Sequence, residues 1–142
     1  MKARCISNQT SALAPSQLGR SDPSDYAAPI TIGHDYTVLG MSILNNALKY
    51  LIRDDTGDPF FASAGHFECA TSALPEGWSF ALRDGISAVG REVWSKPCSA
   101  VWGYDALVSD PSHAGALEEG EQGAFSIFFA QWQAAQQSDS DD

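Results

Sequence analysis

The clearest alternation of apolar and polar positions runs from residue 48 to residue 69, LKYLIRDDTGDPFFASAGHFEC. Leu48, Tyr50 and Ile52 alternate with Lys49, Leu51 and Arg53, the period-2 signature of a strand with two unlike faces. Asp54, Asp55, Thr56, Gly57, Asp58 and Pro59 are turn formers. Glycine permits positive φ, proline fixes φ, and aspartate bonds to its own backbone. Phe60 opens a second, aromatic strand, so the stretch predicts a hairpin at the centre of a small antiparallel sheet.

Upstream, Asp35 to Leu44 (DYTVLGMSIL) places Thr37, Leu39, Met41 and Ile43 on one face and Tyr36, Val38, Gly40 and Ser42 on the other. Both faces are largely apolar or small, as in a central strand. Asn45-Asn46 tolerates the left-handed region and predicts a two-residue hairpin turn. Three strands in succession then form a meander that needs no crossover helix. Downstream, Pro75 and Gly77 interrupt regular structure. Trp78, Phe80 and Leu82 alternate with Ser79, Ala81 and Arg83. Asp84-Gly85 predicts a type I′ turn, with Ile86, Ala88 and Val93 on a returning strand and Gly90 at a bulge or bend. Val101 to Tyr104 reads as a last short strand. Asp110-Pro111 is an N-cap and first-turn pair for a short helix. Phe125, Phe128, Phe129 and Trp132 make one stripe of a C-terminal helix, and Glu118, Glu119 and Glu121 before it suit the positive end of its dipole. The expected fold is α+β: an antiparallel meander sheet of about five to six strands packed by a C-terminal amphipathic helix.

Residues 1–29 are rich in Ser, Pro, Ala, Asn and Gln without a hydrophobic period, and are expected to form a disordered or loosely attached arm. Residues 30–137 then make a single α+β domain, and 138–142 a frayed acidic tail. A chain of 142 residues suits one domain, and 44% hydrophobic content supplies its core. The formal charge of −10 is unevenly placed: residues 1–20 carry Lys2, Arg4 and Arg20 and no acid. The acidic remainder repels nucleic-acid phosphates and anionic membranes and attracts basic surfaces. Solubility alone is the plainer explanation of that charge.

Cys5, Cys69 and Cys98 are odd in number and widely spaced, which argues for reduced thiols in a cytoplasm rather than a disulfide framework or zinc ribbon. No run of about 18 apolar residues predicts a membrane span. No apolar stretch of about 7–15 residues follows Lys2 and Arg4 to make an export signal.

His66-Phe67-Glu68 followed by Pro97-Cys98 has part of the zinc-deaminase pattern, in which His and two Cys hold the metal and Glu moves protons. Val101 stands where the second Cys belongs, and His66 falls in a stretch that reads as strand rather than helix. A deaminase-like enzyme using His66, Glu68 and Cys98 is therefore an alternative reading. The Asp54–Asp58 turn misses the EF-hand pattern because Gly57 comes too early and no Glu closes the loop. It is an acidic turn that can present carboxylates to a basic partner. His34 and His113 read as surface or capping residues. Nucleophile-elbow and glycine-rich phosphate motifs are absent. No catalytic residue, metal ligand or cofactor is assigned. Trp78 and Trp132 read as core. Trp102-Gly103-Tyr104 reads either as core or as an exposed interface anchor.

Tyr36-Thr37-Val38, Tyr50-Leu51-Ile52-Arg53-Asp54-Asp55, Pro59-Phe60-Phe61, Phe67-Glu68, Leu74-Pro75, Trp78-Ser79-Phe80, Glu119-Gly120-Glu121, Ile127-Phe128 and Trp132 together resemble a family of small bacterial cytoplasmic proteins. That family is similar to the immunity proteins that accompany secreted or contact-delivered toxins. The likeness spans residues 35–133 and brings no catalytic residues with it. Joined to the charge, it implies a non-enzymatic binding protein that occludes a basic active site on a cognate toxin. The expected contacts are Asp54, Asp55 and Asp58 on the hairpin tip, Glu118, Glu119 and Glu121 before the last helix, and Trp102 and Tyr104 as anchors. A homo-oligomeric structural or accessory protein is a third reading, with aromatic patches buried between copies.

Overall fold

A computed structural model describes residues 1–18, 25–44, 47–69, 73–83 and 99–140. The strands are β1 (Lys2–Cys5), β2 (Asp35–Thr37), β3 (Gly40–Leu44), β4 (Ala47–Arg53), β5 (Pro59–Ser63), β6 (Phe67–Cys69), β7 (Ser79–Arg83) and β8 (Ser99–Gly103). The α-helices are α1 (Asp105–Ser109), α2 (His113–Glu118) and α3 (Gln122–Ser140). The predicted hairpin is β4–β5, with Leu51 opposite Phe61 and Arg53 opposite Pro59. Its tip closes where the Asp54 amide donates to the Asp58 carbonyl at 2.9 Å. Gly57 sits there at φ 90°, a conformation that favours glycine.

Among the described residues this hairpin belongs to a five-stranded antiparallel sheet of order β5-β4-β3-β8-β7. Leu51 and Ile52 on β4 are successive and both 0% exposed, because strand geometry sends them to opposite faces and both faces are covered. On Leu51's side lie the helices, with Leu39, Val101, Leu107, Leu117 and Phe128 in one buried cluster. Phe128 anchors the predicted stripe of α3, flanked by Phe125, Phe129 and Trp132. Gly40 and Gly103 face each other across β3 and β8 and form the notch for Leu107. A Cβ on Gly103 would stand 2.8 Å from the Leu107 methyl carbon.

On Ile52's side lies a second sheet of three antiparallel strands, order β2-β1-β6. Ala3, Cys5, Tyr36, Val38 and Phe67 pack there against Ile52 and Ala62. The expectation of a loose N-terminal arm fails at its first residues. Lys2–Cys5 is the middle strand of this sheet, with Ala3 and Cys5 each 1% exposed. The alternation Lys2-Ala3-Arg4-Cys5 has the strand period, but its inward side chains are small.

The single strand expected over residues 35–44 is two. Val38 packs in one core and Leu39 in the other, and here the chain passes from the small sheet to the large one. The aromatic strand after Pro59 is also interrupted. A 3-10 turn at Ala64–His66 leads into β6, which pairs with β1 rather than β4. Asp110 does not start a helix. Its carboxylate accepts the amide and hydroxyl of Ser112 at 3.0 and 2.7 Å, and α2 begins at His113. Of the tail expected at 138–142, residues 138–140 continue α3, and 141–142 lie outside the described residues. Asn45-Asn46 and the Asp84-Gly85 turn with its returning strand lie outside the described residues.

Candidate functional site

The hairpin tip, β2 and α3 enclose a cleft of about 350 Å³, lined by Lys2, Asp35, Tyr36, Thr37, Arg53, Asp54, Asp55, Gly57, Trp132 and Gln136. Two of the predicted contact residues, Asp54 and Asp55, meet here, and both are engaged by the chain itself. Asp54 Oδ1 accepts the Thr56 amide at 2.9 Å, the Thr56 hydroxyl at 2.5 Å and the Asp58 amide at 3.1 Å. It is the acceptor that shapes the turn.

Asp55 Oδ1 accepts the Tyr36 phenol and Oδ2 accepts the Thr31 hydroxyl, both at 2.6 Å. Partial burial pushes the Asp55 carboxyl up, but the bonds from Thr31 and Tyr36 outweigh it and hold it below its ordinary value. Burial, with the bond to Asp55 second, raises the Tyr36 phenol.

Arg53 lies across the same cleft. Its Nε donates to the Gly57 carbonyl at 3.1 Å, and its guanidinium carbon stands 4.6 Å above the Trp132 ring and 5.1 Å above that of Phe129. Such stacking contributes about 0.5–1 kcal/mol at a solvated site. Gln136 Nε2 donates to Thr37 Oγ1 at 2.8 Å and ties α3 to β2. At the rim, the exposed Asp35 carboxylate receives Arg4 at 2.9 Å; the hydrogen bond and the Arg4 charge lower its pKa. The lining mixes signs, and most of its charged side chains are bonded to other parts of the chain.

The second predicted acidic group differs. Glu118 at the end of α2 and Glu119 and Glu121 on the turn to α3 are exposed, and burial of part of its side chain, with the Glu119 charge second, raises the Glu118 carboxyl. The turn is fixed by backbone bonds, Glu119 N to Gly115 O at 2.9 Å and Glu121 N to Ala116 O at 3.0 Å. Gly120 takes φ 74° between them. Glu121 and Trp132 are roughly 16 Å apart along α3 at 1.5 Å per residue. The two acidic groups therefore sit at separate places on the molecule. Asp58 is exposed beside the hairpin tip.

Of the two predicted anchors, Tyr104 is corrected. It is 5% exposed, and its phenol stands 2.6 Å from His113 Nε2. His113, expected at the surface, is 3% exposed. Burial raises the phenol and lowers the imidazole, the latter partly offset by the Asp110 charge. The phenol and Nε2 share one hydrogen bond, whose direction follows the imidazole tautomer. Two half-polar side chains thus satisfy each other inside the helix-side core. The residues are nine positions apart on different elements, which no local spacing rule reveals. Trp102 is half-buried, with the Phe80 ring 5.0 Å from its own.

Phe80 belongs to a surface the motifs did not single out. Ile43, Leu48, Phe80 and Leu82 are 38%, 38%, 52% and 69% exposed. The strand register places Leu48, Ile43, Ala100 and Leu82 in one row, and Tyr50, Met41, Trp102 and Phe80 in the next. The signal was present in the alternation of Phe80 and Leu82 along β7, which marks an apolar face but not whether that face is covered.

The deaminase alternative finds no support. His66 is 2% exposed on the 3-10 turn, whereas Glu68 is exposed on β6 opposite Arg4. Among the described residues, no group of three or more His, Cys, Asp or Glu side chains is placed to hold a metal ion. Cys98 lies outside those residues. Cys5 and Cys69 are free thiols. Among the described residues, no helix is long and apolar enough to cross a membrane. No protein-family model matches the chain, and no curated protein or solved structure matches it either.

Proposed function

We propose that this is a non-enzymatic binding protein of the immunity or antitoxin type, which acts by covering a basic surface on a bacterial toxin. The observation that carries the reading is the rigid turn between α2 and α3, where Glu118, Glu119 and Glu121 stand exposed on a chain of formal charge −10. Carboxylates grouped in this way steer a basic partner into contact, although burial and the neighbouring Glu119 charge raise the Glu118 carboxyl. Asp58 adds one more exposed carboxylate. Asp54 and Asp55 contribute field but are held by internal bonds. The partner is a protein with a basic face, in a cytoplasmic setting, and nucleic acid and anionic membrane are disfavoured by the same charge.

The test is titration of the purified chain against the product of the adjacent reading frame, at low and at high salt. A complex whose association rate drops steeply as salt rises supports the reading. Absence of binding at low salt, or a complex indifferent to salt, removes it.

A further inference from the structure

The cleft between the hairpin tip, β2 and α3 contains two opposite charges whose bonding capacity is only partly used. Arg53 is fixed from two sides. Its Nε donates to the Gly57 carbonyl at 3.1 Å, and its guanidinium lies over the rings of Trp132 and Phe129 on α3. Among the described residues it makes no ion pair and no further hydrogen bond, so the N–H groups of both terminal nitrogens are left over. Asp54 complements it. The three bonds that Asp54 accepts from Thr56 and Asp58 all fall on Oδ1, and among the described residues Oδ2 accepts none. The other two carboxylates of the lining are already engaged, Asp35 by Arg4 and Asp55 by Tyr36 and Thr31.

Arg53 and Asp54 are consecutive, yet they form no ion pair with each other. Arg53 is drawn onto the aromatic rings of α3, whereas Asp54 is folded into its own turn. The fold thus holds a cation and an anion side by side without letting them neutralise one another. We infer that this cleft binds a free α-amino acid, with its carboxylate on the terminal nitrogens of Arg53, its ammonium on Asp54 Oδ2 and its side chain against Trp132. A guanidinium takes a carboxylate through two parallel N–H bonds, which fixes orientation as well as contributing attraction. Both protein groups are held before the ligand arrives, which lowers the entropy cost of binding.

The charge of the surroundings selects for a molecule with both signs. A plain carboxylate would meet Arg53 among three aspartates, on a chain of formal charge −10. A plain amine would meet Asp54 beside the Arg53 cation. A zwitterion answers both groups and carries no net charge into the cleft. The volume of about 350 Å³ is at the small end of ligand pockets, which suits a single amino acid rather than a polymer. Glu118, Glu119 and Glu121 are not among the lining residues, so this site and the acidic turn stand or fall separately.

Isothermal titration calorimetry of the full chain with glycine, L-leucine and L-phenylalanine tests the site. At least one of them is expected to bind with a dissociation constant on the order of 0.1–1 mM. The analogues of the best binder that lack the ammonium or the carboxylate (isocaproate and isopentylamine for leucine) bind at least roughly tenfold more weakly. Asp54→Asn keeps Oδ1 for the turn and removes the charge at Oδ2. It weakens the amino acid about tenfold and strengthens the analogue without the ammonium, a reversal that damage to the fold would not produce. Arg53→Lys keeps the charge, loses the planar pair of donors and weakens the amino acid by about the same factor. Glu119→Gln leaves binding unchanged. Absence of binding by all three amino acids up to about 10 mM would overturn the proposal. So would an analogue that binds as tightly as its parent, or an Asp54→Asn chain that weakens the amino acid and the analogue without the ammonium alike.

Discussion

At the hairpin tip, Asp54 and Asp55 receive five hydrogen bonds between them from Thr56, Asp58, Tyr36 and Thr31. At the turn before α3, the carboxylates of Glu118, Glu119 and Glu121 face outward while the backbone beneath them carries the hydrogen bonding. A string of acids in a sequence looks the same in both places. The difference is side-chain length. Aspartate reaches its own turn amides and the hydroxyls of adjoining strands, whereas glutamate in a helical turn extends past the backbone that needs partners. The first group holds the molecule together, and the second is available to something else.

Replacement separates the two groups. The triple change of Glu118, Glu119 and Glu121 to Gln is expected to slow association with the adjacent-frame product roughly tenfold or more at low salt. Its melting temperature should match that of the parent. A triple variant that unfolds, or binds as fast as the parent, erases the distinction.

Asp55→Ala is expected to destabilise the fold by about 1–2 kcal/mol, since it takes away the acceptor of the buried Tyr36 phenol and leaves only the bond from the Thr31 amide, and to leave the association rate nearly unchanged. Its pH dependence carries a sign. Asp55 has its pKa lowered in the fold from 3.8, so its contribution is complete above that value and is lost as pH falls through the lower folded one. Denaturant melts of parent and variant should therefore converge in acid. Asp54→Ala, which removes the turn acceptor, costs about 1 kcal/mol and is read in the same melts.

The smallest effect concerns the buried Tyr104–His113 pair. His113 is lowered in the fold from 6.5, so the unfolded chain takes up its proton first as pH falls, and stability declines from that point towards the folded value. His113→Gln keeps a hydrogen-bonding partner for the Tyr104 phenol and should flatten that part of the curve. A parent curve level through the same range would place the imidazole in contact with solvent.

Much of the large sheet was legible because β4 and β7 alternate large side chains with the strand period, and β5 opens on two aromatic residues straight after a turn. The α3 stripe was legible for the same reason, in a 3.6 period. β1 was not, because its inward residues are Ala3 and Cys5 and its neighbours are Ser- and Pro-rich, so composition outweighed a four-residue alternation. The break at Val38-Leu39 was hidden by two faces that are both apolar, a condition that fits a central strand and a sheet-to-sheet crossing equally well. Among the candidate contacts, charge and turn chemistry located the acidic groups. They could not distinguish Asp55, whose partners Tyr36 and Thr31 arrive from another sheet and its adjoining loop, from Glu119, which has none of comparable reach. Tyr104 was misplaced for a similar reason: its partner is set by how α2 folds back over β8.

The crossing at Val38-Leu39 couples the two sheets mechanically. Val38 donates its amide to the Met1 carbonyl at 2.8 Å and Leu39 donates to Leu51 at 2.9 Å, while their side chains enter opposite cores. One dipeptide is thus a rivet through both layers. Prying the small sheet away drags on the large one at its best-packed strand, so the two layers melt as a single cooperative body rather than as a lid and a base.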